Sequence, residues 1–144
     1  MQIIKAKESD LDAIIEIENE SFKTPFKKSD FLYELNNNPF SYFFVLIENN
    51  IVVSYIIFYI TFDSSTICKI ATKKSKRNMG FAGFLIEFAI NLIKNKGCFC
   101  ITLEVRISNE NAIRLYEKYG FNKVNIKKNY YDDFEDALYM IRGL

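Results

Sequence analysis

Between Ser41 and Thr72, three runs rich in Ile, Val, Phe and Tyr are separated only by Glu48-Asn49-Asn50 and Asp63-Ser64-Ser65. Polar turns this short join neighbouring antiparallel strands. Runs 41–48, 51–62 and 65–72 are therefore expected to form an antiparallel meander. The next segment breaks that pattern. From Phe81 to Lys96, Glu87, Asn91 and Lys94 recur at helical spacing in an otherwise apolar stretch, and Gly97 supplies a stop. Residues 98–106 then read as a strand, so this part of the chain is a strand-helix-strand crossover.

The flanking segments fill in the same architecture. Residues 2–6 read as a strand. Ser9 opens a helix with Asp12 three residues on, and Leu11, Ile14, Ile15 and Phe22 form its apolar face. A loop around Pro25 (21–28) and a short helix (29–36) follow. Ser108 or Asn109 caps a helix over 109–119, with Ala112, Leu115, Tyr116 and Tyr119 as its stripe. Strands over 121–130 and 136–142 end the chain. The expected class is α+β (mixed α/β): a central, mixed, mostly antiparallel sheet flanked by helices. No repeat or linker interrupts the 144 residues, so residues 1–144 are expected to be a single domain.

Composition narrows the chemistry. The chain has no histidine, which removes Ser-His-Asp and Cys-His arrangements and histidine metal sites. Cys68, Cys98 and Cys100 are an odd number without zinc-ribbon spacing, so reduced thiols in the cytoplasm are expected and no metal. A net charge of +1 argues against nucleic acid as a direct partner. The longest apolar stretch, Ile51 to Phe62, falls short of the roughly 20 residues that span a bilayer, so no membrane is expected as a partner.

Three segments carry chemistry. Arg77-Asn78-Met79-Gly80-Phe81-Ala82-Gly83 is a glycine-containing turn into a helix, where backbone N–H groups and the helix dipole favour a phosphate. Lys73, Lys74, Lys76 and Arg77 could meet further phosphates. An ordinary helix start with a solvated basic loop has the same pattern. In the second segment, Ile101, Leu103 and Val105 alternate with Cys100, Thr102, Glu104 and Arg106. Glu104 is then either a general base made more basic by partial burial or half of a Glu104–Arg106 ion pair. In the third, Tyr116 lies on an apolar stripe as a core tyrosine would, and Asn111 reads as a surface residue.

Taken together, Arg77-x-x-Gly80-x-Ala82 and Leu103-Glu104-Val105-Arg106-x-Ser108-Asn109-x-x-Ala112-x-x-Leu115-Tyr116-x-x-x-Gly120-Phe121 resemble the GNAT acetyltransferase superfamily. Asn129-Tyr130-Tyr131, Glu135-Asp136-Ala137-Leu138-x-Met140 and Pro25-Phe26 resemble its RimI-type ribosomal-protein-alanine N-acetyltransferases. Phe134 stands where that group frequently has glycine. The resemblance implies acetyl-CoA as cosubstrate and direct transfer to an amine, without an acyl-enzyme. By the same resemblance, the backbone from Asn78 to Gly83 holds the pyrophosphate, and Asn111 lies where the family contacts the pantetheine arm. Glu104 matches the general base and Tyr116 the general acid.

An acceptor peptide is expected between the 22–28 loop, with Pro25 and Phe26 as an apolar lip, and the 130–136 loop, with Tyr130 and Tyr131. Asp132, Asp133, Glu135 and Asp136 would attract its ammonium. Alternatively these aromatics only pack a closing hairpin. The implied partner is a ribosomal protein or another protein N-terminus. Another GNAT substrate, or a non-catalytic ribosome- or RNA-binding module, are the competing functions.

Overall fold

The computed structural model describes all residues, Met1–Leu144. Its strands are β1 (Gln2–Lys5), β2 (Ser41–Glu48), β3 (Ile51–Thr61), β4 (Ser64–Thr72), β5 (Cys100–Arg106), β6 (Asn122–Lys127) and β7 (Ala137–Gly143). They form one sheet in the order β1-β2-β3-β4-β5-β7-β6, antiparallel except between β4 and β5. The meander lies where the turn chemistry put it: Asn49 and Asn50 both adopt positive φ (52° and 63°), as a tight hairpin between right-twisted strands requires. The second hairpin turns at Phe62-Asp63, one residue earlier than expected.

Four helices cover the two faces. α3 (Phe81–Asn95) and α4 (Glu110–Lys118) share a core with Leu46, Ile56, Phe58, Leu103, Val105 and Met140. α1 (Leu11–Ser21) and α2 (Lys28–Asn36) pack with Phe43, Val45, Tyr55 and Ile57 on the other face. Even-numbered β5 residues, Glu104 and Arg106 among them, therefore face the α1–α2 side.

Local differences from the sequence reading have simple causes. A 3-10 turn at Glu8–Asp10 precedes α1, and the Lys7 N–H donates to Asp10 Oδ2 (2.9 Å), so Asp10 closes the helix entrance rather than Ser9 with Asp12. The buried face of α1 is Leu11, Ile14, Ile17 and Glu18, and Ile15 is half-buried at its edge. On α4 the buried pair is Ile113 and Tyr116, and Asn109 is the cap, its Oδ1 accepting from the Ala112 N–H at 3.2 Å. β6 ends at Lys127 rather than continuing to residue 130, because residues 128–136 are organised by side chains. No helix is long and apolar enough to cross a membrane.

Candidate active site

The turn before α3 is made of unpartnered backbone. Asn78 (φ 64°) and Gly80 (φ 86°) are left-handed, and Gly80 is the N-cap. The N–H groups of Asn78, Met79, Gly80, Phe81, Ala82 and Gly83 have no acceptor within the protein. Nothing lies within 4 Å of where a Gly80 Cβ would be. Six consecutive donors at the positive end of a 15-residue helix, facing open space, fit a pyrophosphate.

Two residues of this segment do something other than expected. A Gly83 Cβ would collide with the Tyr119 hydroxyl and lie 3.1 Å from its Cζ, so this glycine also serves the approach of α3 to Tyr119, just beyond α4. The Arg77 guanidinium is spent on the end of α1 and on β4. Its Nε donates to the Thr72 carbonyl (3.1 Å), and Nη2 to the Glu20 carbonyl (3.4 Å) and Ser21 Oγ (3.0 Å).

Beside this turn the sheet opens. β4 and β5 pair only over Ser64–Thr66 and Cys100–Thr102, with Thr66 Oγ1 donating to the Thr102 carbonyl (2.9 Å). Beyond that point neither edge has a strand partner across the gap. Unpaired strand edges bind extended amide-bearing ligands. Glu104 stands on the β5 side of this gap.

Glu104 is not paired with Arg106. Lys127 Nζ, from the end of β6, donates to Glu104 Oε1 at 2.8 Å and lies 4.7 Å and 5.4 Å from the ring centroids of Tyr139 and Tyr130. The hydrogen bond to Glu104 raises the Lys127 pKa. The partly buried carboxylate, 24% exposed, is therefore held by a cation from a neighbouring strand and not by Arg106.

Arg106, two residues along the same strand face, organises the loop after β6. Its Nη1 donates to both Asp133 oxygens and to Glu135 Oε1, each at 2.9 Å, and the guanidinium lies 4.1 Å from the Tyr131 ring centroid. The Ser108 N–H donates to Glu135 Oε2 (3.0 Å). Hydrogen bonds from Ser108 and Arg106 lower the Glu135 pKa to about 2. Asp136 takes the Asn129 N–H (3.0 Å) and the Lys128 ammonium (3.1 Å). Three of the four acids expected to attract an acceptor are thus committed to holding the loop. Phe134, at φ 66° and 74% exposed, is kept at its tip.

Burial pushes the Tyr131 pKa up to about 12. The Tyr116 ring is buried against Phe121, at 5.8 Å between centroids, and burial raises its pKa. Its hydroxyl makes no hydrogen bond within the protein and is not wholly cut off from solvent. Tyr116 is thus a core tyrosine by its ring, with an unpartnered hydroxyl at its tip. Asn111 is exposed on α4 and accepts from Arg114 Nη2.

The 22–28 loop comes to the same place. Lys23 Nζ lies 3.7 Å from Glu135 Oε1, tying the two loops together. Pro25 is exposed, whereas Phe26 is half-buried edge-on against Phe31, with its N–H donating to Glu18 Oε2 (2.8 Å). Lys127, the loop-holding role of Arg106 and the β4–β5 gap escaped the sequence reading. Only the Lys-Lys run before Asn129-Tyr130-Tyr131 hinted at the first.

A parted pair of parallel strands with a donor-lined turn beside the gap forms a site for an extended cosubstrate that carries a pyrophosphate. Residues 11–121 match the Acetyltransferase (GNAT) family, and the chain belongs to that family. It is an acetyltransferase that uses acetyl-CoA. It is 38% identical over 133 residues to the [ribosomal protein bS18]-alanine N-acetyltransferase of Haemophilus influenzae (91% of this chain, 88% of that protein). Identity to the N-alpha-acetyltransferase of Saccharolobus solfataricus is 34% over 152 residues (96% and 90%). The crystal structure of the ribosomal-protein-S18-alanine N-acetyltransferase from Escherichia coli superposes with a TM-score of 0.89 at 30% identity, covering 99% of this chain and 92% of that one.

Proposed function

We propose that residues 1–144 act as one unit that acetylates the α-amino group of a protein N-terminus, with the N-terminal alanine of a small-subunit ribosomal protein as acceptor, in the cytoplasm. The observation that carries this reading is the Lys23–Glu135 contact. It joins the loops on the Glu104 side of the sheet, while the phosphate-binding turn opens a helix on the opposite side. An acceptor and a donor entering from opposite faces would meet at the β4–β5 gap.

Bound acetyl-CoA supplies the activated thioester and a thiol leaving group. The N–H groups from Asn78 to Gly83 hold its pyrophosphate, and the open β4–β5 edges, with Asn111 nearby, take its amide arm. Glu104 removes a proton from the α-ammonium, directly or through water. An α-amine titrates near ~8, so a carboxylate suffices as the base. Tyr116 Oη holds the proton that the leaving sulfur requires. Tyr130, Tyr131, Pro25 and Phe26 shape the entry and leave room for a small first residue.

The test is a competition between peptides that begin with alanine and N-terminally blocked peptides with one internal lysine, read by mass spectrometry. Acetylation confined to the free N-termini is expected. Equal modification of the lysines overturns the N-terminal assignment. Gly80→Val, which strains a φ of 86° and fills open space, should raise the acetyl-CoA KM by tenfold or more while leaving the acceptor KM near its original value. An unchanged acetyl-CoA KM in the folded variant removes the cradle assignment.

A further inference from the structure

Lys127 occupies a site built for a primary ammonium. One carboxylate oxygen accepts from it at 2.8 Å, and Tyr139 and Tyr130 present their rings to it at 4.7 Å and 5.4 Å. An aromatic-and-acid enclosure of this kind stabilises a cation through charge and ring quadrupoles together. The carboxylate is the one assigned to take a proton from the acceptor. A second ammonium placed between the same carboxylate oxygen and the two rings would meet the first.

We propose that Lys127 is an exchangeable placeholder: its ammonium fills the acceptor's subsite on Glu104 in the free enzyme and is displaced by the incoming α-ammonium. The idea rests on Glu104 as the acceptor-side carboxylate. Displacement is feasible because the pair is open. The Lys127 side chain is 38% exposed and Glu104 24%, so the lysine can swing into water from the sheet edge without leaving a charge buried. The placeholder keeps the subsite between the carboxylate and the two rings filled until an acceptor arrives. It also screens out ligands that lack a cation able to replace it. The ionisable groups around Glu104 are Lys127 from β6, Tyr139 from β7, Tyr130 and Tyr131 from the loop, and Arg106 along β5.

The experiment compares kcat and both KM values of the parent enzyme with those of Lys127→Met and Lys127→Arg, using an alanine-initiated peptide. In Lys127→Met the acceptor KM should fall by about fivefold, the size of one partly exposed ion pair, with the acetyl-CoA KM unchanged. The kcat should stay near that of the parent, because in the complex the acceptor has already replaced the lysine. Lys127→Arg, which keeps the charge, should retain the parent acceptor KM.

A fall in kcat together with the change in acceptor KM would make Lys127 a permanent member of the site and overturn displacement. An unchanged or higher acceptor KM would overturn the proposal outright. The base assignment fails separately, if Glu104→Gln keeps its kcat. The fall in acceptor KM in Lys127→Met would still decide whether the lysine competes for the subsite.

Discussion

Two glutamate–lysine pairs in this protein have the same length and opposite surroundings. Glu18 and Lys69 meet at 2.8 Å with side chains 0% and 12% exposed; Glu104 and Lys127 meet at 2.8 Å with 24% and 38%. Each lysine lies over two rings, Phe22 and Phe26 for Lys69, Tyr130 and Tyr139 for Lys127. Glu18 is saturated: it also accepts from the Tyr55 hydroxyl and the Phe26 N–H. Glu104 has one protein partner, and its second oxygen makes no protein hydrogen bond. A sealed and fully satisfied pair holds α1 and the start of the 22–28 loop against the sheet. An open and partly satisfied one has capacity left for a ligand. Exposure and unused hydrogen-bonding capacity, not distance or residue type, separate the structural pair from the one proposed to take part in the chemistry.

The comparison breaks most sharply on Glu104→Gln, which should lower kcat by ~10²–10⁴ if proton removal limits the rate. The melting temperature should barely move, since exposed pairs contribute ~0–1 kcal/mol. Tyr116→Phe should show a kcat loss in the same range, because it removes only an unpartnered hydroxyl. A lowered melting temperature without a kinetic defect in either variant would return that residue to a packing role.

Glu18→Ala should do the reverse. Leaving the Lys69 ammonium buried without its carboxylate should cost about 3–5 kcal/mol in denaturant unfolding, with kcat of the folded enzyme far less affected than in Glu104→Gln. The double replacement Glu18→Met with Lys69→Met should recover most of that loss, because it removes both buried charges. A loss in Glu18→Ala no larger than that of an exposed pair would erase the distinction between the two sites.

The loop carboxylates test the middle ground with the smallest effect. Glu135 has its ordinary value near 4.5 lowered to about 2 in the folded protein. A depressed value means that its contribution is fully present above the ordinary value and is lost as pH falls from about 4.5 through about 2. Tyr131 ring resonances, which report the Arg106 stack, should therefore begin to shift in that window while the Glu18-anchored face remains intact. Arg106→Gln should move the onset upward. Simultaneous loss of both regions would mean that the loop has no separate stability.

Much of the frame was legible because its causes are local. Asn49-Asn50 sets a hairpin through its own φ preferences, and α3 is set by its own periodicity and by Gly97. The donor turn is likewise backbone, so Asn78 to Gly83 could be read without knowing what surrounds them. The roles of Glu104 and Tyr116 came from resemblance, since spacing alone left each with a structural reading.

Partner choice was decided elsewhere, by strand order and register. Glu104 lies opposite Tyr139 on β7, which lies beside β6, and so Lys127, 23 residues away, reaches it while the neighbouring Arg106 turns to Asp133 and Glu135. Counting acids between residues 130 and 136 could not reveal that Asp133, Glu135 and Asp136 are already occupied. Nor could any local pattern show that β4 and β5 part after three residue pairs. Backbone conformation follows from torsional preferences carried by each residue. The partner of a charge follows from which strands lie side by side, and that exists only once the sheet has assembled.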